Sequence, residues 1–449
     1  MAFEITPEIL NNVAQYIENE NGAALKELFN DIHHADIAET LDELSFEEAV
    51  YIIRLLDSET TSEVLMDVHD DLREKILEQL TAKEIAEEID ELDTDDAADV
   101  ISELPEDRKK AVMQQIEDEE HAKEIIELLR YDEYSAGGLM AKELVKVNEN
   151  WTIPRCIKEM RIQAEEVTRV HSIYVIDNSG KLKGRLSLKD LLITSAKATI
   201  NEVYIPKVDF VTVTDQAEDV ANIMRKYDLE AIPVVDELGV LVGRITIDDI
   251  VDVMKEEADK DYQLAAGITQ DVEADDTIWE LTRARLPWLF LGLLGGVGAA
   301  SIMGFFEGAM ANNAILFMFT PLIAAMAGNV GVQSSAIIVQ GIANDDLKGS
   351  ITNRLLKEVS LAMVNGLALA ILLFFFIFIT EQDIKVATAI SMSLFVVIIV
   401  AGLIGTFIPL FLDKRGIDPA IATGPFITTS NDIFGILIYF GIAKMIIGF

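Results

Sequence analysis

The sequence predicts a multidomain chain, with α and α/β cytosolic modules followed by an all-α membrane domain of five helices. Three observations carry this prediction. First, charge and hydrophobicity are segregated. Half of the 449 residues are hydrophobic, yet the formal net charge is −41. Residues 1–282 hold 68 Asp and Glu against 27 Lys and Arg, whereas 283–449 hold 9 of each, so the whole imbalance lies upstream of Arg283. Second, the neutral part alternates long apolar runs with short polar joints. Third, the acidic part contains two separate internal duplications.

Residues 1–130 place apolar side chains at three- and four-residue intervals, the helical period. The segment 37–44 recurs 48 positions later as 85–92; Ala49 then matches Ala97, and Leu56 matches Leu104. Each unit reads as a pair of short helices that buries its apolar face only against a neighbour, which gives a small helical superhelix. Its exterior is acidic, with 38 Asp and Glu against 10 Lys and Arg, and a surface of that sign does not suit nucleic acid. Residues 1–10 have neither a basic start nor an apolar core, so no signal peptide is expected. Cys156 is the single cysteine, which excludes an internal disulfide and fits a reducing compartment. The five histidines all lie in the acidic half and show no metal-ligand spacing.

From about Ala136 the period changes to strands and helices, again in two copies, 136–196 and 197–254. Residues 173–190 align without gaps on 232–249, an offset of 59. Each copy reads as strand, glycine-containing hairpin turn, strand, and a helix capped near Ser187 or Thr246. Both copies carry the same marks, Gly180, Gly184 and Asp190 in the first and Gly239, Gly243 and Asp249 in the second. In this the segment resembles a tandem cystathionine-β-synthase-type (CBS) domain pair. The resemblance implies a ligand sensor rather than a catalyst; a structural duplication with no ligand is the alternative.

Residues 249–280 connect this module to the apolar part, led in by an acidic helix. Asp248, Asp252 and Glu256 fall at i, i+4 and i+8, one helical face. Like charges so spaced destabilise an isolated helix by about 0.2–0.5 kcal/mol per pair. Divalent cations with oxygen ligands would offset that repulsion and lock acidic faces together. A solvated acidic linker is the bland alternative.

Within 283–449, residues 286–306 hold no charge over 21 positions, about 32 Å of helix and enough for a bilayer core. Four more candidates follow at 314–343, 359–380, 386–412 and 421–447. Arg283, Arg285, Lys348, Arg354, Lys357, Lys414 and Arg415 fall on one side of the five spans, and only Lys385 and Lys444 on the other. Lys and Arg mark the cytosolic side, so a cytosolic N-terminus and an outward C-terminus in the plasma (inner) membrane are expected. Asp432 is the only acid expected well inside a span; Glu358 and Asp418 are expected near span ends, within reach of water. An ionised acid near the bilayer centre costs about 2.5–3.5 kcal/mol on insertion scales and marks function. One carboxylate does not neutralise a divalent ion, but a symmetric dimer would bring two copies to a shared axis. A hydrated cation such as Mg²⁺ could then be held through its waters. Oxygen-only surroundings disfavour soft metals.

The order of parts, with the segment 321–335 around Gly328-Asn329 and Gln333-Ser334 and the segment Gly424-Pro425-Phe426 through Asn431-Asp432, closely resembles the MgtE-type Mg²⁺ transporters and channels. The family usually has a second glycine where Ala327 stands and often asparagine where Val332 stands. The resemblance implies a homodimer with its pore on the two-fold axis, Asp432 holding the hydrated ion and Asn329 beside it. The connecting helix, roughly 249–267, would be a plug held closed when cytosolic Mg²⁺ bridges the domains. Candidate sensor ligands are Asp93, Asp95, Asp96, Asp99, Asp215, Glu218, Asp248, Asp249, Asp252, Glu256, Glu257 and Asp259, with Asp418 near the inner mouth. Some family members also bind ATP at the CBS pair.

Competing readings are a transporter of another divalent cation such as Co²⁺ or Mn²⁺, and a membrane Mg²⁺ sensor that transports nothing. A CBS-containing anion channel would carry the pair after a larger membrane part and would not put an acid in its pore. An enzyme is disfavoured by the lack of a Ser/His/Asp or Cys/His set, a phosphate loop, or any histidine near a span.

Overall fold

The computed structural model describes residues 5–165, 167, 169–270, 272–274, 276–307, 314–344, 347, 349–422 and 424–448. Lys348, counted above among the inner positives, lies outside them. The chain splits into two compact units, Met1–Lys255 and Glu256–Phe449.

The first unit opens with short helices: α1 (Pro7–Glu18), α2 (Gly22–Phe29), α3 (His34–Asp42), α4 (Phe46–Ile53) and α5 (Ser58–Asp67). They continue as α6 (Asp70–Gln79), α7 (Ala82–Ile89), α8 (Thr94–Glu103), α9 (Glu106–Met113) and α10 (Glu119–Leu128). Helices this short are marginal alone, so packing must hold them. Their starts are fixed by polar caps. The Thr81 hydroxyl accepts from the Glu84 amide while the Glu84 carboxylate accepts from the Thr81 amide. Alternate helices stack, α3 on α5, α5 on α7 and α7 on α9, with α4 on α6 and α8 on α10. The duplicated segments bury equivalent positions, Ile37, Ala38 and Leu41 on α3 and Ile85, Ala86 and Ile89 on α7.

The α/β part repeats one pattern twice. The first copy comprises β1 (Val145–Asn148), α11 (Ile153–Gln163), β2 (Ile173–Ile176), β3 (Leu182–Leu186) and α12 (Leu188–Ile193). The second comprises β4 (Val211–Thr212), α13 (Ala217–Tyr227), β5 (Ala231–Val235), β6 (Leu241–Thr246) and α14 (Ile247–Ala266). In each, the middle strand pairs parallel with the first and antiparallel with the third. Gly180 and Gly239 take φ of +81° and +80° in the hairpin turns, a region open to glycine. The parallel strands β1 and β4 were not legible in the sequence, because two to four residues are too few to show a period. A Cβ on Gly243 would meet the Ala141 carbonyl oxygen at 2.8 Å. That close approach lets Ala141 exchange backbone bonds with Arg244, at 2.8 and 2.9 Å.

The second unit holds five helices long and apolar enough to cross a membrane: α15 (Ile278–Phe305), α16 (Ala314–Ala343), α17 (Ile351–Glu381), α18 (Ile384–Asp413) and α19 (Gly424–Ile447). A 3₁₀ turn, Pro419–Ala422, precedes α19. Helix α18 is central, packing on α16, α17 and α19, while α15 packs on α19 and is the least buried of the five. Leu316, Ile323, Ile390, Leu394, Ile398 and Phe440 belong to the core. The buried Tyr439 hydroxyl donates to the Leu316 carbonyl at 2.7 Å. Two helices run past their apolar stretches. Helix α17 begins at Ile351, its end capped by Ser350, two turns before Glu358 at the edge of the apolar run. Likewise α15 begins at Ile278, which places Arg283 and Arg285 within the helix. Apolar run length marks hydrocarbon, and a helix extends past it wherever caps and polar residues allow.

Candidate cation sites

In the second unit a cavity of about 420 Å³ opens between α16 and α19. Gly328, Asn329, Val332 and Gln333 line it from α16, and Thr428 and Asp432 from α19. Asn329 and Asp432, singled out separately in the sequence, therefore share one wall set. Asn431 turns the other way, into the bundle, and is 1 % exposed. Its amide packs on Gly331, where any Cβ would collide with it, and Gly331 in turn abuts Gly405. Stacked glycines bring α16, α18 and α19 close enough to fix which residues face the cavity. Beside this seam the Ser334 hydroxyl donates to the Glu358 carboxylate at 2.6 Å, and Glu358 packs against Gly402.

The end of α14 meets the start of α19. Gly267 has φ of +83°, and a Cβ there would lie 2.5 Å from Pro425 Cγ; a Cβ on Gly424 would collide with the Ala265 carbonyl. The chain leaving α14 is then tied to α15, because the Thr269 amide and hydroxyl donate to the Ala284 carbonyl at 3.1 and 3.0 Å. Glu257 accepts from Lys260 at 3.1 Å. Asp259 lies further along the same helix, and Asp418 caps the 3₁₀ turn by accepting from the Ala420 amide at 2.8 Å.

In the first unit the acids of α8 face the α/β part. The Arg244 guanidinium lies 3.3 Å from Asp93 and also donates to the Glu143 carbonyl. The Glu143 carboxylate accepts from the Thr94 amide and hydroxyl, at 3.2 and 2.9 Å. Among the described residues, Asp93, Asp95 and Glu143 are the group of three whose ligand oxygens all lie within 4.8 Å of one another. Such an all-oxygen set fits Mg²⁺ or Ca²⁺.

Electrostatics mark the same place. Burial, then Glu143, pushes Asp93 up to about 6, with Arg244 opposing. Burial and the neighbouring Asp249 push Asp96 up to about 8 and hold Asp95 well above the carboxylate range. Asp99 is exposed, yet the atoms packed round it and Glu133 also push it upward. Asp249 is raised by burial although the Thr246 amide and hydroxyl donate to it at 3.0 and 2.7 Å. Half-buried acids crowded this way take up either protons or a cation. Asp252, on α14, is raised by burial, with Asp67 and Asp248 adding to the effect.

Asp93, Asp95, Asp96, Asp99 and Asp249 are thus brought together, with Asp248 beside Asp249 on α14. Asp215 instead accepts from the Thr212 amide and hydroxyl, at 2.8 and 2.9 Å, as a turn-forming acid. Glu218 lies in the first turn of α13 and Glu256 on α14. Glu143 was missed in the sequence. Its only signal is its place two residues beyond the strand crossing at Ala141, and that crossing is visible only in the fold.

The sequence pattern of the MgtE divalent cation transporters matches residues 320–442, that of the MgtE intracellular N domain residues 32–134, and that of CBS domains 136–197 and 200–256. The magnesium transporter MgtE of Bacillus subtilis is 34 % identical over 321 residues, 71 % of each chain. The magnesium transporter MgtE of Enterococcus faecalis is 36 % identical over 319 residues, 71 % of this chain and 70 % of the relative. The crystal structure of the cytosolic domain of the Mg²⁺ channel MgtE in complex with ATP is also similar. It is 33 % identical with a TM-score of 0.51, and the likeness covers 54 % of this chain and 99 % of that one.

Proposed function

The chain belongs to the MgtE family of magnesium transporters, and on that premise we propose that it carries Mg²⁺ across a membrane and closes when cytosolic Mg²⁺ is plentiful. The observation that carries the reading is the cavity where Asp432 and Asn329 meet beside Gln333 and Thr428. A hydrated divalent ion needs oxygen acceptors for its waters and negative charge to offset its own. A homodimer supplies two Asp432 carboxylates about its axis. Mg²⁺ sheds water reluctantly, so contact through the hydration shell suits it better than direct ligation.

The gate in this reading is α14, roughly residues 249–267, whose last turn rests on the first residues of α19. Movement of α14 would shift the helix that carries Asp432. Asp93, Asp95, Asp96, Asp99 and Glu143 with Asp248 and Asp249 are the proposed regulatory ligands. Asp252, Glu256, Glu257, Asp259, Asp215, Glu218 and Asp418 are further candidates. With a cation bound the acids hold together; without one they repel and free the helix. The N-terminal modules are cytosolic and the C-terminus is outside, by the placement of Lys and Arg. A nucleotide at the CBS pair is a secondary proposal. It draws on the related cytosolic domain solved with ATP, and here on His171 Nδ1, which is buried with no hydrogen-bond partner among the described residues. An ATP-dependent rise in unfolding temperature checks it.

Rescue of a Mg²⁺-requiring bacterial strain tests the function. Growth restored at low Mg²⁺ supports it, with Mn²⁺ and Co²⁺ uptake measured alongside. Failure to rescue, together with no Mg²⁺ flux in reconstituted vesicles, would leave a sensor that transports nothing.

A further inference from the structure

Helix α15 has two faces. Ala284, Trp288, Gly295 and Ala299 turn inward: Ala284 accepts the Thr269 bonds, Trp288 lies beside Gly267, and Gly295 packs on Thr429. A flanking stripe, Ile278, Leu281, Thr282, Arg285, Leu286 and Leu289, lines a groove of about 260 Å³. Its apolar members are open, Leu289 at 65 % and Leu286 at 56 % exposure, and the neighbouring Trp279 at 75 %. Arg285 has no hydrogen-bond or carboxylate partner among the described residues, nor has Arg283. The nearby Glu280 is committed to the Thr277 amide and hydroxyl, at 3.0 and 2.6 Å.

A chain of net charge −41 in which two guanidiniums at the mouth of an apolar stripe have no partner among the described residues is matched to an anion with a hydrocarbon tail. A second copy docking by the same stripe would set Arg285 against Arg285 across a two-fold axis, which like charges oppose. Lipid has the complementary sign: Arg pairs with phosphate through two parallel bonds, acyl chains follow leucines, and exposed tryptophan favours the headgroup level.

We propose that this face of α15 binds an anionic phospholipid, its phosphate on Arg285 and one acyl chain along Leu286 and Leu289, the Thr282 hydroxyl being committed to the Ile278 carbonyl at 2.6 Å. The headgroup would sit one residue from Ala284, the carbonyl that anchors the chain leaving α14, so lipid occupancy would steady that junction. The proposal does not rest on the transport reading.

The test is native mass spectrometry of the full chain purified from vesicles of equal phosphatidylglycerol and phosphatidylcholine. The expected result is preferential retention of phosphatidylglycerol, lowered about fivefold by R285Q, the effect of one basic residue at an anionic surface. R285K, which keeps the charge, should retain most of the binding, and unfolding in plain detergent should show that both variants are folded. Equal retention of the two lipids, or R285Q retaining as much as wild type, would overturn the proposal. So would L289C in a C156S background forming disulfide-linked pairs in high yield, which would assign the face to a second copy.

Discussion

Glu88 shows how one buried acid ties this chain to pH. Its carboxylate accepts from the Ser58 hydroxyl at 2.9 Å, but burial dominates, and with Glu87, Glu91 and Asp57 nearby it is pushed up to about 7. The folded chain therefore holds a proton that the unfolded chain releases at lower pH. The stabilisation is complete below the ordinary glutamate range and is lost as pH rises through about 7. Glu88→Gln should flatten this part of the stability–pH curve and raise the unfolding temperature at pH 8, checked by thermal unfolding of the full chain. Gly331 makes a steric counterpart. Any side chain there collides with Asn431, so Gly331→Ala should cost about 1–3 kcal/mol and show as a lower unfolding temperature. Legibility differs sharply between such residues. Asp432 was visible because hydrocarbon makes a lone acid conspicuous, whereas Glu143 sits between Lys142 and Lys146 outside the aligned repeat segments and gains meaning only beside Asp93.

At the level of elements, α14 carries the regulatory argument. Its acids repel one another along the helix, and its last turn lies on Pro425. Millimolar Mg²⁺ should protect it from limited proteolysis, and Asp252→Ala with Glu256→Ala should weaken that protection; cleavage indifferent to Mg²⁺ would return it to an ordinary linker. Repeats and apolar runs made most elements readable in advance, because buried faces recur at fixed periods in α3 and α7 and in the paired β2–β3 and β5–β6 hairpins. Short parallel strands and helix ends were not readable. β4 has two residues, and the polar start of α17 reads as a loop until Ser350 is seen to cap it.

For the whole molecule, acidic modules and a neutral helical bundle meet one physical demand: charge must be gathered where a cation is sensed or passed and kept from lipid elsewhere. In the proposed mechanism a single Asp432 per chain needs a second copy, so the detergent-solubilised protein should have twice the chain mass by light scattering. The most direct measurement is Mg²⁺ flux into vesicles carrying either wild type or Asp432→Ala, with fold and assembly checked in both. The account predicts flux for the wild type and none above empty vesicles for the variant. Undiminished flux through Asp432→Ala would contradict it.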